Sequence, residues 1–266
     1  MKPPLTYYGG KQKLTRQILA LIPSHNLYCE PFFGGGAIYF AKEPCEIEVI
    51  NDTNGDLINF YRVVKTKYRQ LEKEIIPTLY SRQLHRQSAK MVLGFPELFS
   101  DVKRAWAIWV LANQSYASRL DSPWGYDRMK NTSAKRLHNK RDNFTKDYAE
   151  RLEETQIENG DALRIIQTRD SKQSFFYCDP PYFNSGMGHY NDYTEQDFEN
   201  LLKLLSTIKG KFLLSSYPSE LLKKYIRKNK WHTKEIDMPL VVNAKYKNGK
   251  RKTEVLTGNY SIRREN

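Results

Sequence analysis

The chain has 266 residues, enough for one α/β core and a smaller second unit without disulfide or metal staples. Its 43 Lys and Arg against 30 Asp and Glu give a net charge of +13, which points to a polyanionic partner, with nucleic acid as the first candidate. Three cysteines (Cys29, Cys45, Cys178) without paired spacing exclude a disulfide framework and a zinc site, and no run nears the ~18 apolar residues of a membrane span.

In chain order, the opening Met1-Lys2-Pro3-Pro4 lacks the apolar stretch of a secretion signal, so an intracellular protein is expected. Tyr7-Tyr8-Gly9-Gly10-Lys11 leads into a helix with Leu14, Ile18, Leu21 and Ile22 on one face, ended by Pro23. Lys11 near a helix N-terminus is electrostatically awkward, and a nearby carboxylate would relieve it. A short strand, Asn26 to Cys29, precedes Glu30-Pro31-Phe32-Phe33-Gly34-Gly35-Gly36, with a small helix expected through Ala37, Tyr39, Phe40 and Ala41. Strand, glycine turn and helix start let backbone approach a nucleotide-like ligand closely, but neither G-x-G-x-x-G nor a Walker lysine is present. Glu46 to Ile50 reads as a second strand closing on Asn51-Asp52. Asp52 could accept ribose hydroxyls, as an acidic residue at that position does in dinucleotide folds, or it or Thr53 could cap the helix through Leu57, Ile58 and Tyr61.

From about Val63 to Glu150 the pattern is helical and polar: Leu71, Ile75, Ile76 and Leu79 recur, then Phe95 through Leu111 reads as an apolar helix. Residues 61–150 hold 18 Lys and Arg against 9 Asp and Glu, an excess far above an even spread. We expect an inserted helical lobe, 63–151, within a main domain of 1–62 and 152–266. Its loop from Asn113 to Lys135 interleaves Tyr116, Arg119, Trp124, Tyr126, Arg128 and Lys130, the residue types that stack on bases and contact phosphates, although a surface loop also carries such residues.

Gln156 to Glu158 reads as a strand before Asp161, an N-cap candidate for a helix through Leu163, Ile165 and Ile166. Ser174-Phe175-Phe176-Tyr177-Cys178 reads as a buried strand, and Asp179-Pro180-Pro181-Tyr182 ends it abruptly, because prolines cannot donate to a sheet. The turn offers a carboxylate, carbonyls freed from ladder pairing and an aromatic ring, a set suited to a planar amine. Asp192 to Ile208 (helix), Lys211 to Ser215 (strand) and Pro218 to Arg227 (helix) continue the alternation of a parallel sheet. Lys234 to Met238 and Glu254 to Tyr260 read as a final strand pair. Five Lys and Arg in the connection 244–252, Lys247, Lys250 and Arg251 among them, suit a phosphate clamp or a solvated turn.

Four motifs in order, Tyr7-Tyr8-Gly9-Gly10-Lys11, Phe32-x-Gly34-x-Gly36, Asn51-Asp52 and Asp179-Pro180-Pro181-Tyr182, resemble the S-adenosylmethionine-dependent DNA adenine-N6 methyltransferases, the Dam-like family in particular. The resemblance covers the first sixty residues and roughly 155–262. It implies a Rossmann-like α/β sheet with helices on both faces and an inserted, mainly helical target-recognition lobe. It assigns Tyr7, Lys11, Glu30, Phe32, Gly34, Gly36, Asp52, Asp161 and Asp179 to S-adenosylmethionine, the ribose to Asp52 and the cofactor's adenine to Asp161. Asp179, Pro180, Pro181 and Tyr182 become catalytic: Asp179 and the Pro180 carbonyl hold the amine of a flipped adenine, and Tyr182 stacks on it. Arg119, Trp124, Arg128, Lys130, Lys247, Lys250 and Arg251 are the expected contacts to double-stranded DNA, with Arg119, Trp124 and Arg128 the candidates for reading bases. No metal is expected. A restriction endonuclease partner and a place in the cytoplasm of a prokaryotic or phage-infected cell fit the same family. Cytosine-N4 methylation, an RNA or protein-glutamine substrate, and a non-catalytic DNA-binding module stand as alternatives. Family members that read GATC carry Arg-x-Asn-x-x-Gly-x-Phe-Asn-x-Pro before Pro-aromatic-Gly. Here only Pro123-Trp124-Gly125 agrees, so a GATC target is not expected.

Overall fold

The structure, a computed structural model, describes residues 1–184, 193–239 and 251–262. The first elements are α1 (Thr15–Leu19), β1 (Leu27–Glu30), β2 (Ile47–Asn51), α2 (Gly55–Ile75), α3 (Lys90–Gly94) and α4 (Asp101–Gln114). There follow α5 (Thr132–Asp142), α6 (Asp147–Leu152), β3 (Gln156–Glu158), α7 (Ala162–Arg169) and β4 (Ser174–Cys178). The last are α8 (Glu195–Leu205), β5 (Lys211–Ser216), α9 (Glu220–Asn229), β6 (His232–Pro239) and β7 (Arg251–Gly258).

The described strands form one seven-stranded sheet in the order β3-β2-β1-β4-β5-β7-β6. β1, β4 and β5 run parallel, while β7 is antiparallel to both β5 and β6. β4 has the near-continuous apolar run of a strand covered on both faces, and all five of its residues are buried. Because β1 and β4 are neighbours and the chain leaves them in opposite directions along the sheet, their carboxyl ends mark a topological switch point, where open α/β sheets bind ligands.

The chain divides into two compact units, Met1–Leu19 with Phe33–Pro44 and Ile50–Gly160, and Ala20–Phe32 with Cys45–Val49 and Asp161–Asn266. In the second unit, Phe176 and Cys178 of β4 and Phe212 and Leu214 of β5 pack against Ile166, Phe198, Leu201, Leu202 and Leu222 of α7, α8 and α9. Each buried phenylalanine contributes roughly 2–3 kcal/mol. Thr194 and Asp197 close a capping box at the start of α8, and Ser219 caps α9. In the first unit α4 is the pillar: every residue from Ala105 to Gln114 is buried, and α2 packs along it.

Several sequence expectations need correction. The segment after the glycine turn forms successive turns, with Phe40 N–H on the Gly36 carbonyl and Lys42 N–H on Ile38, in place of a regular helix. The helix placed at Phe95–Leu111 begins only at Asp101. Pro96 opens a separate 3₁₀ turn, and the Ser100 side chain accepts from Lys103 N–H to start α4 afresh. Leu98, in that turn, and Ile76 and Leu79, past the end of α2, are exposed (71%, 59% and 64%), outside the core that their spacing suggested. Asn54, which accepts from the Asp56 and Leu57 amides, caps α2, so neither Asp52 nor Thr53 does.

A π-helical turn, Leu84–Ala89, is tied to the end of α4 by a 2.8 Å hydrogen bond between His85 Nε2 and Ser115 Oγ. Burial, with a smaller effect of the Lys90 charge, pulls the His85 imidazole from 6.5 to about 4. A depressed folded pKa favours the neutral form. Stability from His85 is therefore full above pH 6.5 and is lost as the pH falls toward 4, by about 2 kcal/mol at pH 5. Thermal unfolding from pH 7.5 to 5 should show this slope, and His85→Gln should flatten it.

Candidate active site

At the switch point, β4 stops because Pro180 and Pro181 carry no N–H, and the chain leaves the sheet with Asp179 half-buried at the turn. The alternation of strand side chains gathers a polar set on the sheet face opposite the α7–α9 helices. The Tyr28 hydroxyl donates to Glu30 Oε1 at 2.6 Å, and both residues are buried. The Tyr182 hydroxyl lies 3.1 Å from Asp179 Oδ1, 3.1 Å from Ser215 Oγ and in contact with Glu254 Oε1. Ser215 Oγ donates to the same Glu254 oxygen at 2.5 Å. Burial pushes the Tyr177 phenol well up, and the charges of Asp179, Glu30 and Glu254 push it further. The Tyr182 phenol is raised for the same reasons, burial first and then Asp179 and Glu254. Both phenols therefore stay protonated at neutral pH. The Tyr182 ring meets the Tyr217 ring edge to face at 4.4 Å, while Phe32 meets Tyr193 at 6.4 Å.

In the first unit, the glycine turn is held from two sides. Gly34 N–H donates to Asp52 Oδ2 at 2.9 Å, and the Gly34 carbonyl accepts from Tyr61 Oη at 2.9 Å. Gly34 and Gly36 take φ of +49° and +65°, and a Cβ on Gly36 would collide with the Phe33 ring. Tyr7 lies against this turn: a Cβ on Gly34 would come within 3.2 Å of its ring. Asp52 Oδ1 also accepts from Asn54 N–H at 2.9 Å. Burial raises the Asp52 carboxyl, and the amides of Asn54, Gly34 and Thr53 oppose that rise. Asn51 exchanges two hydrogen bonds with the Gly160 backbone, at 2.9 and 3.0 Å, and Asn159 donates to the Asp52 carbonyl. Lys11 is buried with its ammonium on the Gly9 carbonyl at 3.2 Å. Asp161 is exposed and caps α7 through Arg164 N–H.

The loop after α4 is closed by backbone bonds from Tyr116 N–H to the Pro123 carbonyl and from Gly125 N–H to the Gln114 carbonyl, both 2.8 Å. Trp124 is half-buried, stacked on Tyr126 at 5.9 Å, with Arg82 5.0 Å and 5.2 Å from the two rings. Arg119 pairs with Asp121 at 2.7 Å, whereas Arg128 and Lys130 are exposed. Lys247 and Lys250 lie outside the described residues, and Arg251 is the first residue of β7.

Glu254, Ser215, Tyr28 and Arg82 went unmarked in the sequence. Glu254 had a signal: it shares a strand face with Leu256, so a carboxylate stands at an inward position. Among the described residues no group of His, Cys, Asp or Glu is placed to hold a metal ion, and no helix is long and apolar enough to cross a membrane.

The sequence matches the family described as D12 class N6 adenine-specific DNA methyltransferase over residues 7–239, and the chain belongs to that family. Its activity is methylation of adenine N6 in DNA, which sets aside the cytosine-N4 and binding-module alternatives. Among particular proteins, it is similar to the type II methyltransferase M1.LlaDCHI of Lactococcus lactis subsp. cremoris, 27% identical over 98% of this chain and 96% of that one. Type II methyltransferase M.MjaIII of Methanocaldococcus jannaschii is 28% identical over 75% and 76%. The DNA adenine methylase of Haemophilus influenzae is 40% identical, but over only 24% of this chain and 22% of its own.

Gly36→Ala should lower the unfolding free energy by about 2 kcal/mol or more, since it adds both a strained φ and a collision with Phe33. A thermal melt showing no loss would mean that the turn has another conformation.

Proposed function

We propose that the chain transfers the methyl group of S-adenosylmethionine to the N6 amine of an adenine flipped out of double-stranded DNA. The observation that carries this is a half-buried carboxylate, Asp179, fixed at the switch point of the sheet, in a member of an N6-adenine methyltransferase family. When bound, S-adenosylmethionine supplies the activated methyl group. The residues of the first unit fit such a group. Tyr7 packs against the turn at Gly34, and Asp52 is oriented by two amides, so that its remaining lone pairs suit ribose hydroxyls. Tyr7, Lys11 and the segments at Glu30, Phe32 and Asp161 complete the proposed set. For Asp161 the N-cap bond occupies one oxygen and leaves the other for an exocyclic amine.

The exocyclic nitrogen of adenine is a weak nucleophile because its lone pair is delocalised into the ring. Asp179 and the Pro180 carbonyl accept its two N–H bonds, drawing the nitrogen toward tetrahedral geometry, and the carboxylate stabilises the positive charge that develops there. Pro181 fixes the turn that aims both acceptors. Tyr182 offers its ring to the base, stacking worth roughly 1–3 kcal/mol against a flipping cost of a few.

The 63–151 segment is proposed to recognise the target, with Arg128 and Lys130 on phosphates, and with Trp124 packed as scaffold for Tyr126 and Arg82. Arg119 positions the loop through Asp121. Lys247, Lys250 and Arg251 are proposed phosphate contacts. Similarity to type II methyltransferases favours a modification role beside a restriction endonuclease, in the cytoplasm of a prokaryotic or phage-infected cell.

Incubation with labelled S-adenosylmethionine and unmethylated duplex, digestion to nucleosides and mass spectrometry should yield N6-methyladenine, and Asp179→Ala should lower kcat by about 10²–10³. Wild-type turnover in that variant would remove Asp179 from the mechanism. Alanine at Arg128 or Lys130 should reduce the salt slope of duplex binding by about one each. An unchanged slope would assign both side chains to the surface.

A further inference from the structure

The Tyr182 hydroxyl contacts two carboxylates, Asp179 Oδ1 at 3.1 Å and Glu254 Oε1. A phenol has one proton to donate. Donated to Asp179, it would occupy and partly neutralise the acceptor that the adenine amine requires. Donated to Glu254, it draws nothing from Asp179. Glu254 is 1% exposed and Ser215 is fully buried, so this oxygen competes for the tyrosine proton without dilution by bulk water. Ser215 donates its own proton to Glu254, which leaves its oxygen as an acceptor and gives it none to offer Asp179.

We infer that Glu254 is a positioning residue for methyl transfer: it draws the Tyr182 proton away from Asp179 and pins the far end of the Tyr182 ring. This rests on Asp179 being the acceptor of the target amine. Neither the turn at Asp179 nor the family match marks Glu254, which enters from β7, 72 residues along the chain from Tyr182.

The test is a double-mutant cycle with single-turnover rates, duplex KM and thermal midpoints. Glu254→Gln keeps volume but removes charge, so Tyr182 turns its proton to Asp179. The methylation rate should fall roughly 10- to 100-fold, with duplex KM within about threefold of wild type. In a Tyr182→Phe background, which has no phenol proton to divert, Glu254→Gln should change the rate less than about threefold. A purely structural Glu254 would lose the same factor in both backgrounds, and that outcome overturns the inference, as does an unaffected single variant. Should Glu254→Gln melt early, Glu254→Leu combined with Tyr182→Phe and Ser215→Ala removes the buried acceptor and both of its donors together. Its rate is then compared with that of Tyr182→Phe with Ser215→Ala: equality supports the inference and a further loss overturns it. Asp179→Ala is measured alongside. If it is fully active, the assignment of Asp179 fails first, whereas an inactive Asp179→Ala with a fully active Glu254→Gln removes only the role of Glu254.

Discussion

Two adjacent prolines without N–H groups follow, one residue on, a strand whose five residues are all buried, and the candidate chemistry depends on that interruption. Pro180 and Pro181 force the chain out of the sheet one residue after Cys178, so Asp179 stands at the carboxyl end of β4 beside the end of β1. The apolar run before it fixes β4 in the centre, between parallel neighbours, and the helices α7 to α9 pack on one of its faces. The opposite face carries Tyr28, Glu30, Tyr177, Ser215 and Glu254, an unusual load of buried polar groups. Burying them costs free energy unless they satisfy one another, and the bonds Tyr28–Glu30, Ser215–Glu254 and Tyr182–Glu254 do so for all but the buried Tyr177 hydroxyl.

The glycine turn obeys a similar constraint in the first unit. Its backbone is bound by Asp52 on one side and Tyr61 on the other, its positive φ angles favour glycine, and a Cβ on Gly36 would strike the Phe33 ring. Asp52 thereby has a structural task in the turn: its two oxygens hold the Gly34 and Asn54 amides. α4, buried throughout from Ala105 to Gln114, is the packed element from whose end the loop from Ser115 onward is closed.

The aromatic and cationic residues of that loop divide once their contacts are known. Trp124 is enclosed by Tyr80, Tyr126 and Arg82, so its size serves packing, while Tyr126, Arg128 and Lys130 face solvent. Arg82 joins them from a segment that carries no local mark of function.

Sequence alone determined the strand at Ser174–Cys178 and its termination, the strand at Gln156–Glu158, the alternation from α7 to α9 and the glycine turn. Each of these rests on a local property: a missing N–H, a missing Cβ, or a run of apolar side chains. Only the tertiary structure decided that Asn54 caps α2, that Leu98, Ile76 and Leu79 lie outside the core, that Arg119 is bound to Asp121, and that Glu254 reaches Tyr182. Those outcomes follow from competition between partners distant along the chain or from which face of an element finds a neighbour, and no local pattern encodes the winner.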